Sequence, residues 1–272
     1  MQIKRWQSQN KTIALVPTMG NLHRGHIALV EQAMALADKV VVSIFVNPTQ
    51  FDKDADLQAY PRTEQEDQQK LQKQGVDCLF LPSVETMYPT LGSACAIKVP
   101  DSLDILEGAS RKGHFSGVAT VVAKLFNLVK PDIAIFGEKD FQQVMLVRKL
   151  VEDLNFDIKI IAAQTVREAD GLAMSSRNGY LSNDERLTAS SLYKILNDLR
   201  NQVLQGDYNY SNLETEAMRK LEEAGFIPDY VVLRRQHDVQ KPNKDDDALV
   251  VLAAAWLGKA RLIDNIAFNI SS

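Results

Sequence analysis

Residues 12–37 read TIALVPTMGNLHRGHIALVEQAMALA. Thr12–Pro17 is a short apolar run bounded by a turn, which predicts a first strand. From Gly25 to Ala37 the apolar residues Ile27, Val30, Met34 and Ala37 recur at helical spacing, predicting one buried helical face. A strand that passes through a glycine-containing turn into a helix opens a βαβ unit.

The same alternation continues outward. Val40–Val46 (VVVSIFV) reads as a second strand, apolar on both faces and therefore internal. Thr63–Gln74 is polar and helix-prone, Cys78–Leu81 is strand-like, and Ser116–Val129 is an apolar-faced helix followed by Pro131. Ile133–Phe136, Phe141–Leu154 and Ile158–Ala162 repeat strand, helix, strand. Together these predict an α/β fold with a doubly wound parallel sheet over about 165 residues. Beyond Ser182 the texture changes to helical segments at 183–204 and 211–224, then strand-like Tyr230–Leu233, Leu249–Ala254 and Arg261–Ile263. A smaller C-terminal α+β domain is expected, dividing the chain into 1–180 and 181–272. The run KPNKDDD at 241–247 reads as a solvated loop.

The 272 residues carry 31 basic and 35 acidic side chains, with 45% hydrophobic residues. That balance excludes collagen-like and disordered classes, and the length supports a substantial core without disulfide or metal staples. With a net charge of −4 and both signs interspersed, a nucleic-acid-binding surface is not expected. Cys78 and Cys95 form no CxxC pair and are expected to be reduced and structural, which suits a cytoplasmic protein. The N-terminus lacks a secretory h-region, and no apolar run approaches the about 18 residues of a membrane span.

The chemistry is expected in the first turn. In a parallel sheet, ligands sit outside the carboxyl ends of strands. Gly20 and Gly25 permit tight turning, and exposed N–H groups at a helix start attract anions. His23 and His26 can donate hydrogen bonds to phosphate oxygens, and a cationic imidazole can neutralise charge on a leaving group.

His23-x-Gly25-His26 after a first strand resembles the HxGH signature of the nucleotidylyltransferase superfamily, which includes class I aminoacyl-tRNA synthetases. It is joined by VNPTQF at 46–51, YPRT at 60–63, GHFSG at 113–117, GEKDFQQ at 137–143 and MSSRN at 174–178. This set is similar to the pantoate–β-alanine ligase (pantothenate synthetase) family over most of the chain, most densely over 12–182. The resemblance implies a Rossmann-like N-terminal domain, a C-terminal lid, and a homodimer formed through the N-terminal domain. It also implies ligation of pantoate and β-alanine through a pantoyl adenylate, with ATP as substrate and Mg2+ as metal.

By the same resemblance the ATP contacts are Met19, Gly20, Asn21, Leu22, His23, Arg24, Gly25 and His26 in the first turn. Gly137, Glu138, Lys139 and Asp140 follow a later strand, and Val166, Met174, Ser175, Ser176 and Arg177 complete the set. His26 matches the proton-donor histidine and is the expected catalytic residue. Gly137 would let the backbone approach the nucleotide while Lys139 reaches phosphate oxygens. Met174–Arg177 looks like the counterpart of the synthetases' KMSKS loop, with one cation remaining. Gln50 and Gln143 match the pantoate-binding amides, Gln50 also lying near β-alanine, and glutamine both donates and accepts as that pocket requires. Gln142 is the competing assignment, because helix neighbours point about 100° apart. Asp67 is the expected outer ligand of Mg2+, and His114 resembles a residue near the second half-reaction without being catalytic.

Four other readings compete. An adenylyltransferase that stops at the adenylate would share HxGH without needing NPTQF and KDFQQ together. A zinc hydrolase would place its histidines four apart around a glutamate, as in HExxH, whereas here they are three apart in a glycine turn. A non-catalytic ATP sensor would not need both histidines, Lys139, Arg177 and the two glutamines. A tRNA synthetase would carry a basic tRNA-binding appendage, and none is evident.

Overall fold

The computed structural model describes residues 2–270 except 91, 93, 101, 102, 104 and 244. In chain order it places α1 (Gln2–Ser8), β1 (Ile13–Thr18), α2 (Arg24–Leu36), β2 (Lys39–Ile44), α3 (Asp54–Ala59), α4 (Glu64–Gln74) and β3 (Cys78–Phe80). Next come α5 (Val84–Met87), α6 (Glu107–Ser110), α7 (His114–Val129), β4 (Ile133–Gly137), α8 (Phe141–Asp153) and β5 (Lys159–Ala163). The remainder is α9 (Asn183–Ala189), α10 (Ser191–Leu204), α11 (Tyr210–Glu223), β6 (Ile227–Arg235), β7 (Ala248–Leu257) and β8 (Ala260–Asn269). Two compact units divide the chain, Met1–Gln164 and Thr165–Ser272.

In the first unit five strands lie in the order β3-β2-β1-β4-β5, every neighbouring pair parallel. β1 is central, and Ile13–Val16 are fully buried because helices cover both faces. Val30 and Ala33 of α2 and Leu71 of α4 pack with Ala14, Val16, Val40 and Val42 on one face. On the other, α7 and α8 pack Val118, Val122, Phe126, Val144 and Val147 against Leu15, Val41 and Phe136. The doubly wound, Rossmann-like sheet expected from the sequence is present, with β2 internal. The face of α2 holds at Val30 and Ala37, which pack on this core with Leu29, but between them Ala33 is the buried residue and Met34 is 41% exposed.

The second unit is a three-stranded antiparallel sheet, β6-β7-β8. β7 is its centre and is almost wholly buried. Leu192, Leu196, Leu199 and Val203 of α10, with Leu213, Ala217 and Leu221 of α11, form the apolar face that packs on it. The long helical segment at 183–204 is two helices, broken at Ser190. The expected boundary at 180 falls just before α9, whose N-cap Ser182 forms a capping box with Glu185. Residues 165–180 nevertheless group with the second unit. Arg167 and Ala173 form an antiparallel bridge, and Leu172 belongs to the second core. In the loop at 241–247 the side chains of Lys241, Asn243, Asp245 and Asp247 are exposed, and Lys244 lies outside the described residues. No described helix is long and apolar enough to cross a membrane.

Candidate active site

From β1 the chain runs outward through β2 to β3, then returns to place β4 on the other side of β1. The carboxyl ends of β1 and β4 therefore form the topological switch point, where ligands bind in open parallel sheets. The turn leading into α2 leaves β1 there, and the turn leading into α8 leaves β4. Two helix N-termini thus face the same crevice, a setting that favours anions.

The turn after β1 is tightly built. Gly20 sits at φ +84° and Asn21 at φ +50°, so the backbone doubles back before the helix begins. Gly25 is already helical, and its N–H donates to His23 Nδ1 (3.1 Å). The His23 N–H donates to His26 Nδ1 (3.3 Å). The two imidazoles therefore form a reciprocal capping box on α2, their ring centroids 4.1 Å apart. A backbone N–H can only donate, so both Nδ1 atoms are acceptors and each neutral ring carries its proton on Nε2. Burial, chiefly, together with His23, Lys139 and Lys70, pushes His26 down to about 3. Burial, then Lys139 and Lys70, pushes His23 down to about 4, against a smaller upward pull from Asp140. Both imidazoles are thereby held neutral in the folded chain. Protonating Nδ1 would set an N–H against an N–H, so the structure holds two neutral Nε2–H donors.

Lys139, after β4, acts electrostatically on both histidines and so belongs to the same cluster. Gly137 has open space where a Cβ would be, with no heavy atom within 4 Å. Gln50 lies in a short 3-10 turn (Pro48–Gln50) and is buried. Its Oε1 accepts from Asn47 Nδ2 (3.1 Å) and its Nε2 approaches Met19 Sδ at 3.1 Å, which joins it to the first turn. The two glutamines of α8 separate cleanly. Gln142 is buried, its Oε1 accepting from the Glu107 N–H and its Nε2 donating to the Ile105 carbonyl, both at 3.0 Å. Its amide is thus committed to the backbone, whereas Gln143 is only partly buried.

Asp67 does not fit the expected metal role. It is fully buried, with Oδ2 accepting from the Asn21 N–H (2.7 Å) and from Thr63 Oγ1 (3.1 Å). Oδ1 accepts from the Leu22 N–H (2.8 Å) and lies 3.7 Å from Lys70 Nζ. Lys70 in turn donates to the Leu22 carbonyl (2.8 Å). The carboxylate is a clamp from α4 onto the turn after β1, with both oxygens engaged by protein donors. Among the described residues no three His, Cys, Asp or Glu side chains converge to hold a metal ion.

In the second unit, Val166 and Met174 lie on the two arms of a short hairpin, where the Met174 N–H donates to the Val166 carbonyl (3.0 Å). Ser175 caps the following 3-10 turn, its Oγ accepting from the Arg177 N–H (3.2 Å). Asn178 Nδ2 donates back to the Ala173 carbonyl (3.0 Å).

Comparison with known proteins is consistent from end to end. The family described as Pantoate-beta-alanine ligase matches residues 1–267. The chain belongs to that family. The pantothenate synthetase of Nitrosococcus oceani is 51% identical over 99% of this chain and 95% of that protein. A crystal structure of pantothenate synthetase from Thermus thermophilus superimposes with a TM-score of 0.90 at 42% identity, covering 97% of this chain and 96% of that one. A pantoate-beta-alanine ligase from Francisella tularensis, crystallised with beta-gamma ATP and beta-alanine, gives 0.78 at 40% identity, over 97% and 95% of the two chains.

Two supports in this family member carry no sequence signature of their own. One is the Asp67 clamp. The other holds Gln50: its carbonyl can only accept, so His114 Nδ1–H donates to it (2.8 Å), leaving Nε2 to accept from the Arg111 guanidinium (3.1 Å). Tyr88 donates to Asn47 Oδ1 (3.0 Å), orienting the amide that meets Gln50. The GHFSG motif at 113–117 signals the place but not this function.

His114 is pushed down to about 4, by burial first and Arg111 second, so three imidazoles are held neutral in the folded chain. Each has a folded value below the ordinary 6.5, so on acidification the unfolded chain takes up these protons first. Stability is complete above pH 6.5 and falls as the pH drops toward 4, by up to about 1.4 kcal/mol per pH unit for each imidazole. Thermal melts between pH 7.5 and 4.5 are expected to show this loss, and His114→Asn should make it shallower. A flat melting temperature across that window would contradict the assignment.

Proposed function

We propose that this chain joins pantoate to β-alanine with ATP, giving pantothenate, AMP and pyrophosphate. What carries the reading is the pair of tautomer-fixed imidazoles at the switch point, in a chain whose whole length matches the pantoate-beta-alanine ligase family. In the first step a pantoate carboxylate oxygen attacks the α-phosphorus of ATP. The bond to the β-phosphate oxygen breaks, and pyrophosphate leaves with its electron pair. In the second, the β-alanine amine attacks the acyl carbon, AMP leaves, and the amine gives up a proton as the amide forms.

Phosphoryl chemistry of this kind asks for positioned donors and positive charge more than covalent participation. His26 and His23 supply Nε2–H groups, Lys139 supplies charge, and the N-termini of α2 and α8 supply oriented dipoles. His26 is the catalytic residue, acting as a neutral donor to the phosphate oxygens. Gly20, Asn21, Leu22, Arg24, Gly25, Gly137, Glu138 and Asp140 are proposed to line the nucleotide through backbone and side chain. On the resemblance, Val166, Met174, Ser175, Ser176 and Arg177 are further nucleotide contacts. Gln50 and Gln143 are assigned to pantoate, Gln50 also to β-alanine. Mg2+ is proposed to arrive with the triphosphate, which together with water offers the oxygen ligands it prefers. A homodimer, a cytoplasmic location and independence from nucleic acid and membrane complete the proposal.

Exchange of labelled pyrophosphate into ATP tests it. Exchange should require pantoate, and adding β-alanine should convert it to amide and AMP. Exchange that proceeds without pantoate, or adenylate that accumulates without amide, would favour the adenylyltransferase alternative.

A further inference from the structure

The segment Met174–Arg177 reaches its position through a hairpin whose anchoring is unusually elaborate for a surface turn. Arg167, on the first arm, makes a two-pronged contact with Asp264 of β8: Nη1 donates to Oδ2 (2.6 Å) and Nη2 to Oδ1 (2.9 Å). Nη1 also donates to the Gly171 carbonyl (3.1 Å) and Nη2 to the Asn265 carbonyl (3.3 Å). Asp264 is buried, and its Oδ1 also accepts from the Asn265 N–H (2.7 Å). The guanidinium carbon lies over the ring of Tyr193 from α10, 3.7 Å from its centroid. The hairpin tip presses on the same ring. Gly171 sits at φ +95°, and a Cβ there would stand 2.6 Å from Tyr193 Cδ1.

Arg167 thus ties one arm, the tip and β8 together. The second arm follows, because Ala173 bridges to Arg167 and the Met174 N–H is bonded to the Val166 carbonyl. We propose that Arg167, Asp264 and Tyr193 form a positioning pin that sets the geometry in which Met174–Arg177 meets ATP. This rests on the reading of that segment as a nucleotide contact. Arginine is needed because lysine can neither fork onto a carboxylate nor stack as a plane.

The test uses the full chain with ATP alone and in turnover. Arg167→Lys and Asp264→Asn are each expected to raise the KM and dissociation constant for ATP about tenfold or more, while the KM for β-alanine moves less than about twofold. Tyr193→Phe keeps the ring and should behave as the parent, whereas Tyr193→Leu should follow Arg167→Lys. The Tyr193 pair keeps the test open if neither charge variant folds. Ser176→Ala, which removes a hydroxyl of the segment itself, reports separately on the nucleotide reading. If Ser176→Ala weakens ATP binding while the pin variants lower only the melting temperature, the pin is merely structural and the proposal fails. If all of these variants bind ATP as the parent does, the nucleotide reading fails and takes the pin with it.

Discussion

His26→Ala is expected to slow pantoyl adenylate formation by about 10²–10³-fold, the usual cost of removing one positioned donor from a developing oxyanion. The folded state should survive. The ring caps α2 by accepting the His23 N–H, and losing such a cap costs about 1 kcal/mol. Burial, chiefly, holds His26 down at about 3 and the His23 N–H occupies its Nδ1, so the proposed role is carried by the Nε2–H. That separates two outcomes. His26→Gln retains an N–H near the position of Nε2 and should recover part of the lost rate, whereas an acid that must deliver a proton would gain nothing from an amide. Rapid-quench measurement of pyrophosphate release, beside a thermal melt, decides it. An unchanged rate in His26→Ala, or a loss matched by unfolding, would remove His26 from the chemistry.

The parts of this site that could be read in advance are the local ones. β1, its turn and α2 are contiguous, so the apolar run, the glycines and the paired histidines all lie within residues 12–37. The sheet was legible for the same reason: strands buried on both faces read as near-continuous apolar runs. What escaped the reading depends on distance along the chain. The Asp67 contact to Asn21 spans 46 residues, and that from His114 to Gln50 spans 64. Nothing local separates a buried acid from a solvated one on a polar helix. The charge state of the histidines escaped as well, since it follows from burial and from Lys139 and Lys70 brought in by other elements. On α2 the buried residue between Val30 and Ala37 is Ala33 and not Met34, a choice that apolar spacing alone does not make. Gln142 and Gln143 are indistinguishable as letters. They are separated only by the backbone of Ile105–Glu107, which claims the first.

Asp67 supports the second large effect. Asp67→Ala strips acceptors from the Asn21 N–H, the Leu22 N–H and the Thr63 hydroxyl at once, and leaves Lys70 beside an emptied cavity. A buried donor left unmade costs about 1–3 kcal/mol, so a combined loss of about 3–5 kcal/mol is expected. That is a large part of the margin of an ordinary domain. Asp67→Asn is the gentler probe. Its amide keeps one acceptor but turns an N–H2 toward one of the two backbone donors, so it should fold with a lowered melting temperature and a raised KM for ATP, because the turn ahead of His23 loosens. A metal ligand at this position would behave differently: excess Mg2+ would restore Asp67→Asn and shift the metal dependence of turnover. The clamp predicts no such rescue, since the missing partner is an acceptor for protein N–H groups that no cation can replace. Turnover of the parent and Asp67→Asn titrated with Mg2+, with melting temperatures alongside, distinguishes the two, and full recovery at high Mg2+ would return Asp67 to the metal.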